Sequence, residues 1–375
     1  MDFRLNDEQQ QLAESIKKFL AKDYSFDQRK AILATPTGIS DKVWATLAEM
    51  GVLAISLPEA AGGFGGGTVD LMSAMEAAGD VALVEPLLST LVASHILATD
   101  SAHTATLEAV GAGECKLAWA HGEAESRYSL TQVSCTAKAT ATGYELNGAK
   151  SVVLHAPLAN KIVVTARTSG QGAQGLSLFL VDANAAGVKM KTYRTVDNLR
   201  AADIDFSGVQ LAKSALIGTE GEAFALINEA MDFANALICA EAVGAMRAAN
   251  DSTLEYLKTR KQFGVPIGAF QALQHRMVEM KIHAEQASSM ALLACTKMDA
   301  WAVGQITPAE RSRLVSAAKV KVADAARIVG QEAIQLHGGM GLTQEMKIAH
   351  TFKRLTMICQ QYGDADFHLK RFAAV

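Results

Sequence analysis

One carboxylate has the setting that general acid–base chemistry needs. Glu241 stands in the helical run NALICAEAVGAM, which is almost wholly apolar and contains no cation. Burial of such a carboxylate is costly without a partner, and desolvation raises its pKa and makes it a better base. Glu241 is therefore either functional or paired with an arginine elsewhere. Asp364, in YGDADFHLKRF, directly precedes a helical pattern, a position where Asp is a good N-cap.

Two glycine-containing segments could bind a ligand. Residues 256–277, YLKTRKQFGVPIGAFQALQHRM, place Arg260, Phe263 and Gln271 around a Gly-Val-Pro-Ile-Gly break. Taken alone, the segment predicts a helix, a kinked connection and a second helix, with Arg260 as a solvated cation near a helix C-terminus. The glycine pair in QLHGGMGLT is by itself typical of a helix C-cap. Neither segment alone decides between structure and binding.

The order of the elements along the chain indicates the fold class. Apolar residues recur at helical spacing from residue 1 to about 113, and long Ala-rich helical patterns return from about 213. Between them the composition is β-rich, and Asn147-Gly148 predicts a hairpin. We expect an α+β fold with a helical domain at 1–113, an antiparallel β domain at 114–212 and a four-helix bundle at 213–375. Helices and strands do not alternate, which disfavours a doubly wound nucleotide fold.

Composition excludes several classes of function. With 375 residues, half of them apolar, the chain can bury a large core. A net charge of -4 argues against nucleic-acid binding, which needs clustered Lys and Arg. The cysteines have neither CxxC spacing nor a histidine at ligand spacing, so we expect no metal site and free thiols in a reducing cytoplasm; they are Cys115, Cys135, Cys239, Cys295 and Cys359.

No segment predicts membrane insertion or secretion. The apolar run at residues 81–98 is short for a bilayer and is interrupted by Glu85, Pro86 and His95, which favours a buried helix. The N-terminus is charged and amphipathic, unlike a secretory signal, and predicts the first helix of the mature protein. GGFGGG at 62–67 lacks a following Lys-Ser/Thr and indicates a flexible corner rather than a phosphate loop.

Three motifs in order resemble those of the acyl-CoA dehydrogenase family of flavoproteins. GVLAISLPEAAGGFGG with MEAAG is similar to the N-terminal signature, and TRKQFGVPIGAFQALQHRM and QLHGGMGLT to the C-terminal flavin-site signatures. HGEAESRY, NGAKSVVLHAP and YGDADFHLKRF resemble a narrower branch, the small subunit of pimeloyl-CoA dehydrogenase and its relatives in steroid and cyclic-acid breakdown. The resemblance covers nearly the whole chain.

The resemblance implies an FAD site that is partly formed across a subunit boundary. The matching residues would surround the pyrophosphate and adenosine of FAD; they are Arg260, Phe263, Gln271, Gln335, Gly338 and Gly339. A guanidinium can neutralise pyrophosphate, amides can bond its oxygens, and paired glycines let backbone N–H groups come close.

The resemblance also implies that a carboxylate removes the proton next to a thioester carbonyl while FAD accepts a hydride. The family takes this base from a Tyr-Glu-Gly-Thr motif or from the long helix of the last domain. The matching positions here are Gly363 and Ala234, so neither is intact. Asp364 and Glu241 remain as candidates, and Asp364 is preferred because its motif lies where the family places a base.

Other departures lie on the flavin-ring and acyl-CoA side. The loop that faces the flavin reads Gly122–Arg127, the strand that covers it reads Ser151–His155, and Asn235 replaces an arginine that helps to hold CoA. His121 directly precedes the first segment and His155 ends the second, and either could donate a hydrogen bond there. The adenosine side is better preserved than the ring side.

These features predict FAD-dependent α,β-dehydrogenation of an acyl-CoA thioester by one subunit of a heterotetramer. The narrower resemblance favours a dicarboxylic, cyclic or steroid-derived acyl group. The expected partners are a second acyl-CoA dehydrogenase subunit, or further copies of this chain in a homotetramer, and an electron-transfer flavoprotein as electron acceptor. The alternative is a non-catalytic subunit that completes the FAD site of a partner dehydrogenase.

Overall fold

The computed structural model describes residues 7–374, so Met1–Asn6 of the predicted first helix lie outside the described residues. The compact units do not follow the order of the chain. The first comprises Met1–Ile32, Gly67–Leu83 and Asp232–Val375, and the second comprises Leu33–Gly66 and Val84–Met231. The predicted ranges 1–113, 114–212 and 213–375 follow instead the order of helices and strands.

The described residues contain eleven α-helices, six before the strands and five after them. They are α1 Asp7–Asp23, α2 Phe26–Ala34, α3 Asp41–Glu49, α4 Thr68–Val81, α5 Leu87–Leu97, α6 Thr104–Gly111, α7 Phe224–Thr259, α8 Gln271–Ala302, α9 Pro308–His337, α10 Lys347–Ile358 and α11 Ala365–Ala373. Local signals explain their ends: Thr307 caps α9 by accepting from the Glu310 N–H, and Pro308 occupies the first turn.

The first unit is built on the long helices α7, α8 and α9. On α8, alanines at helical spacing form the buried face, among them Ala284, Ala287 and Ala291. Helix α4 lies backbone to backbone against α7, because a Cβ atom on Gly79 would overlap the Glu241 carbonyl oxygen at 1.9 Å. This contact, in the MEAAG motif, fixes the part of α7 that carries Glu241.

The second unit is built on an eight-stranded sheet. Its strands are β1 Leu117–Ala120, β2 Thr136–Ala139, β3 Gly143–Leu154, β4 Lys161–Arg167, β5 Leu176–Asp182, β6 Val188–Arg194, β7 Arg200–Ala212 and β8 Leu216–Ile217. The order is β6-β7-β3-β2-β4-β5-β8, with β1 beside β4. Most pairs are antiparallel, as predicted, but β1 and β2 pair with β4 in parallel. The helical–β–helical order confirms the α+β fold.

The predicted hairpin at Asn147-Gly148 is wrong. β3 runs through both residues and pairs with β7 along its length, with a register shift between Leu146 and Gly148. A two-residue hairpin of this kind needs positive φ at both positions, and of these two residues only Gly148 has one, at 136°. The Asn147 side chain accepts from the Gly208 N–H at 2.8 Å, so the pair forms a bulge in a continuous strand.

The apolar run at 81–98 becomes α5, whose residues from Leu87 to Ser94 are all buried in the second unit. Over residues 7–374, no helix has the length and apolar character needed to span a bilayer.

Candidate active site

The Gly-Val-Pro-Ile-Gly break is a small hairpin in the first unit. Strands β9 (Lys261–Gln262) and β10 (Val265–Pro266) follow α7, and α8 begins at Gln271. Phe263 at the tip has φ 54° and Gly264 has φ 81°, as a type I′ turn requires. A bulky residue with positive φ is uncommon, and this residue is 90% exposed, so packing within the chain does not explain its position.

The second glycine motif lies at the end of α9. Gly338 caps the helix with φ 59° and ψ -147°, a conformation that is almost confined to glycine. A Cβ atom on Gly339 would meet nothing within 4 Å. Packing within the chain therefore does not explain the missing side chain at 339, and the space beside it is open to a ligand.

A ring stack brings the two motifs together. Tyr256, on the last turns of α7, stacks on His337 with centroids 4.4 Å apart and planes inclined by 26°. The Tyr256 carbonyl accepts from the Arg260 N–H at 2.8 Å, and His337 directly precedes Gly338. The sequence contained Tyr256 and His337 beside each motif, but helical spacing alone could not show that their rings meet.

The six residues predicted to bind the cofactor are all exposed; we call them the exposed cluster, which comprises Arg260, Phe263, Gln271, Gln335, Gly338 and Gly339. Within residues 7–374, the side chains of Arg260, Gln271 and Gln335 form neither a hydrogen bond nor an ion pair. Their donors remain available for a ligand or another subunit.

Position 363, which the sequence resemblance matches to the family's base, is closed to side chains. Residues 359–364, which we call the Tyr362 turn, connect α10 to α11, and Tyr362 and Gly363 have φ 55° and 108°. A Cβ atom on Gly363 would lie 2.5 Å from the Phe367 ring and 2.6 Å from Nε2 of His368. A hydrogen bond holds the His368 ring in this space, because its Nε2 donates to the Tyr362 carbonyl at 2.9 Å.

The structure places Asp364 at the N-terminus of α11. Its Oδ1 accepts from the Phe367 N–H at 2.8 Å, which is the N-cap geometry that the sequence left open. The side chain is half-buried at the end of the Tyr362 turn. An N-cap bond to one oxygen does not remove the carboxylate's capacity to accept a proton.

Glu241 forms a buried ion pair with Arg354 on α10. Nε and Nη2 of Arg354 donate to the two carboxylate oxygens at 2.5 and 2.7 Å, and both side chains are at most 5% exposed. The third guanidinium nitrogen donates to Oε1 of Gln361 at 2.7 Å. This is the paired alternative for Glu241, and it ties the long helix α7 to the Tyr362 turn.

Lys319 on α9 is a buried cation that sequence reasoning missed. Its Nζ donates to the Ile358 carbonyl at 2.8 Å and to the Gln361 carbonyl at 2.6 Å. Burial lowers its pKa to about 8. Because both acceptors are backbone carbonyls, no pattern of side chains in the sequence could have indicated them.

The second position that the resemblance matches to a base lies on α7, and it is also enclosed by packing within the fold. Ala234 is fully buried, and Nδ2 of the neighbouring Asn235 donates to the Tyr362 carbonyl at 3.1 Å. Two residues earlier, the buried Asp232 accepts from Arg311 at 2.9 Å and from Ser312 at 2.7 Å. Asp232 and Asn235, on either side of Ala234, therefore both form hydrogen bonds within the first unit.

In the second unit, a buried ion pair fixes the loop Gly122–Arg127. Nζ of the fully buried Lys150 donates to Glu123 at 2.8 Å and to the His121 carbonyl at 2.9 Å. Burial acts to raise the pKa of Glu123, but the Lys150 charge and two backbone N–H donors outweigh it, so the pKa is lowered. The NGAK motif thus supplies the cation that holds the loop.

The two histidines of these segments differ in their contacts. Nδ1 of His155 lies 2.5 Å from the Ser89 hydroxyl. Nδ1 of His121 lies 3.1 Å from the Thr165 hydroxyl, while its Nε2 is buried and has no hydrogen-bond partner among the described residues. Burial lowers the pKa of His121 to about 3, so the ring is neutral.

The described residues contain no cluster of three or more His, Cys, Asp or Glu that could hold a metal ion.

Three domain models of one family match successive parts of the chain. The acyl-CoA dehydrogenase N-terminal domain matches residues 6–119, the middle domain 118–209 and the C-terminal domain 221–371. The chain belongs to the acyl-CoA dehydrogenase family, whose members are FAD-dependent oxidoreductases.

Individual relatives are similar over almost their full length. The L-prolyl-(peptidyl-carrier protein) dehydrogenase of Serratia sp. (strain ATCC 39006) is 28% identical, over 92% of this chain and 90% of the relative. A solved structure of the Tcur3481-Tcur3483 steroid ACAD G363A variant is 27% identical over 98% and 97% of the two chains, with a TM-score of 0.87. PigA, solved with FAD and proline, is 26% identical over 100% and 98%, with a TM-score of 0.90.

Proposed function

We propose that this chain takes part in the FAD-dependent α,β-dehydrogenation of an acyl-CoA thioester as one subunit of a heterotetramer. The observation that carries the proposal is the contrast between the exposed cluster, whose side chains face outwards unbonded, and position 363, where the family's base has no room. A chain with a preserved cofactor surface and an altered base position is what a division of labour between subunits requires.

The exposed cluster fits the phosphate side of FAD. The Arg260 guanidinium would neutralise pyrophosphate, Gln271 and Gln335 would donate to its oxygens, and the open space beside Gly339 would admit the cofactor to the backbone. Bound FAD supplies the hydride acceptor for the β-carbon. Because the cluster is exposed, a second subunit must cover it for the cofactor to be enclosed, and this favours a partner over a lone chain.

Asp364 is the proposed base of this chain. It lies one residue after the closed position 363 and half-buried, while Glu241 is held by both nitrogens of the Arg354 fork. Glu241 would have to leave that pair to accept a proton, which would leave Arg354 buried without its counterion. Asp364 needs no such rearrangement.

A second candidate function is a non-catalytic subunit that completes a partner's FAD site. It is favoured by the N-cap bond of Asp364, which already gives that carboxylate a structural task. In this case the base belongs to the partner, and the exposed cluster remains this chain's contribution.

Asp364→Ser separates the two candidates, because serine keeps the N-cap but has no carboxylate. The complex of this chain with a co-expressed family partner is mixed anaerobically with thioesters, and bleaching of the flavin absorbance is followed. If Asp364 is the base, Asp364→Ser should slow bleaching about 100-fold or more, whereas Asp366→Asn on the first turn of α11 should not. Unchanged bleaching in Asp364→Ser would assign the base to the partner.

The panel of thioesters addresses the substrate. We propose a dicarboxylic, cyclic or steroid-derived acyl group, supported by the similarity to a structure described as a steroid ACAD. A prolyl thioester belongs in the panel because another relative is a dehydrogenase of carrier-bound prolyl groups. An electron-transfer flavoprotein is the proposed acceptor, and reoxidation of the bleached complex by it rather than by oxygen is the expected result.

A further inference from the structure

The Tyr362 turn has a conformation that the chain around it must enforce. Tyr362 and Gly363 are consecutive residues with positive φ, and Tyr362 is a bulky residue for which this conformation is unfavourable. Such strain persists only where surrounding contacts determine the backbone. The contacts that do so are found on four helices of the first unit.

Four polar side chains reach the turn from these helices. Asn235 on α7 and His368 on α11 both donate to the Tyr362 carbonyl, at 3.1 and 2.9 Å. Arg354 on α10 donates to the Gln361 side chain, and Lys319 on α9 donates to the Gln361 carbonyl. All four side chains are buried, so the bonds are shielded from water.

Lys319 is the least expected of the four. Among the described residues its ammonium has no carboxylate within ion-pair distance, and its Nζ bonds only the carbonyls of Ile358 and Gln361. The carbonyl of Ile358 ends α10, where the helix dipole favours a cation. Complete burial of a lysine is costly. Stabilising the end of α10 alone would not require a lysine from a different helix, α9.

We propose that Lys319 is a positioning residue that fixes the backbone of the Tyr362 turn and, through it, the direction in which Asp364 leaves the turn. Glu241 and Arg354 act with it, since the ion pair anchors the Gln361 side chain while Lys319 anchors the Gln361 backbone. The inference rests on the proposed function in one respect, the assignment of Asp364 as the base.

Lys319→Met tests the proposal, because methionine keeps most of the volume and removes both bonds. Amide hydrogen exchange of residues 358–368 is measured on the assembled complex, together with kcat and KM. We expect exchange in the turn to rise about tenfold or more, and kcat to fall about 10- to 100-fold with KM and flavin content unchanged. Val329→Ala, a buried change ten residues further along α9, is the matched control and should leave exchange in the turn unaltered.

A double variant distinguishes positioning from general stabilisation. If Lys319 acts through Asp364, adding Lys319→Met to Asp364→Ser should lower kcat little further, since residues that act as a unit are not additive. Lys319→Gln, which keeps one end of the side chain able to donate to a carbonyl, is the second variant should Lys319→Met not fold, and it should loosen the same amides by a smaller factor.

The outcomes separate this proposal from the proposed function. Equal exchange in Lys319→Met and Val329→Ala, with equal loss of kcat, would overturn the role of Lys319. Full activity of Asp364→Ser would remove Asp364 as the base, yet faster exchange of the turn in Lys319→Met would still establish Lys319 as the residue that fixes it.

Discussion

The exposed cluster and the Tyr362 turn are parts of the same compact unit, and they use polar residues in opposite ways. In the cluster, Arg260, Gln271 and Gln335 form no side-chain bond within the described residues. In the turn, Lys319 and Arg354 are buried and bonded to the chain itself. The polar groups of the cluster are therefore accessible to solvent and to a ligand, whereas those of the turn are satisfied within the fold.

The two regions should therefore respond differently to substitution. Changes around the turn should lower the free energy of unfolding, and changes in the cluster should lower cofactor affinity without affecting the apo chain.

Glu241→Gln should have the largest effect, because it leaves Arg354 buried beside a neutral group. The expected loss is about 3–5 kcal/mol in the free energy of unfolding, measured by urea denaturation. The double variant Glu241→Met with Arg354→Met removes both charges and should recover most of this loss. A Glu241→Gln variant as stable as the wild type would contradict the internal role of the pair.

Gly363→Ala should be destabilising beyond the effect of its positive φ. Gly304 is the control, since its φ of 74° is similarly unfavourable for alanine but a Cβ atom there would meet nothing within 4 Å. Gly304→Ala should cost about 1–2 kcal/mol, and Gly363→Ala about 1–3 kcal/mol more because of its overlap with Phe367 and His368. Similar melting temperatures for the two variants would show that position 363 is not closed.

Arg260→Ala should weaken FAD binding by the complex about 10- to 100-fold, the expected loss of hydrogen bonds to a charged group. The melting temperature of the apo chain should not change, since the side chain has no bond within it. The neighbouring exposed Lys261, changed to alanine, provides the control for charge alone. If flavin titration gives the same affinity for both variants, the cluster is not the cofactor surface.

Lys319 should make stability depend on pH in the alkaline range. Its pKa is lowered from 10.5 to about 8, so between these values the unfolded state binds more protons and the free energy of unfolding rises with pH. The rise should be about 1.4 kcal/mol per pH unit above pH 8, or about 2 kcal/mol by pH 9.5. Lys319→Met should lack it.

The comparison must be made as a difference between wild type and variant. Lys319 faces Cys239, Cys359, Arg354 and Glu241. Burial raises the pKa of Cys239 to about 12, and the contribution of that thiol is lost as pH rises, which is the opposite sign. Parallel curves for the two proteins would mean that Lys319 does not titrate in this range.

Local sequence patterns predicted much of the fold. The errors occurred where strand pairing, rather than local pattern, determines the structure. Helical spacing and β-rich composition are local properties, so the order of helices and strands was predicted correctly. Asn147-Gly148 forms a bulge because β3 pairs with β7 on both sides of it. Since β7 is distant in the sequence, a local pattern cannot reveal this pairing. The parallel pairing of β1 with β4 was missed for the same reason.

The candidate site divides in the same manner. The six residues of the exposed cluster could be predicted as cofactor ligands because two short motifs contain them, and that assignment stays a prediction. The structure adds the ring stack of Tyr256 on His337, which joins the two motifs. The alternatives for Glu241 could not be resolved from the sequence, since its partner Arg354 is 113 residues away. Lys319 could not be identified at all, because it bonds backbone carbonyls.

By itself, the sequence determined the α+β architecture and the family, since each depends on residue types at short spacing. Only the tertiary structure decided which carboxylate is held and which position is closed. Glu241 is neutralised by an arginine from another helix, and Gly363 is closed by two rings that pack against it. Charge compensation and steric exclusion depend on distances between helices, and these exist only once the helices have packed.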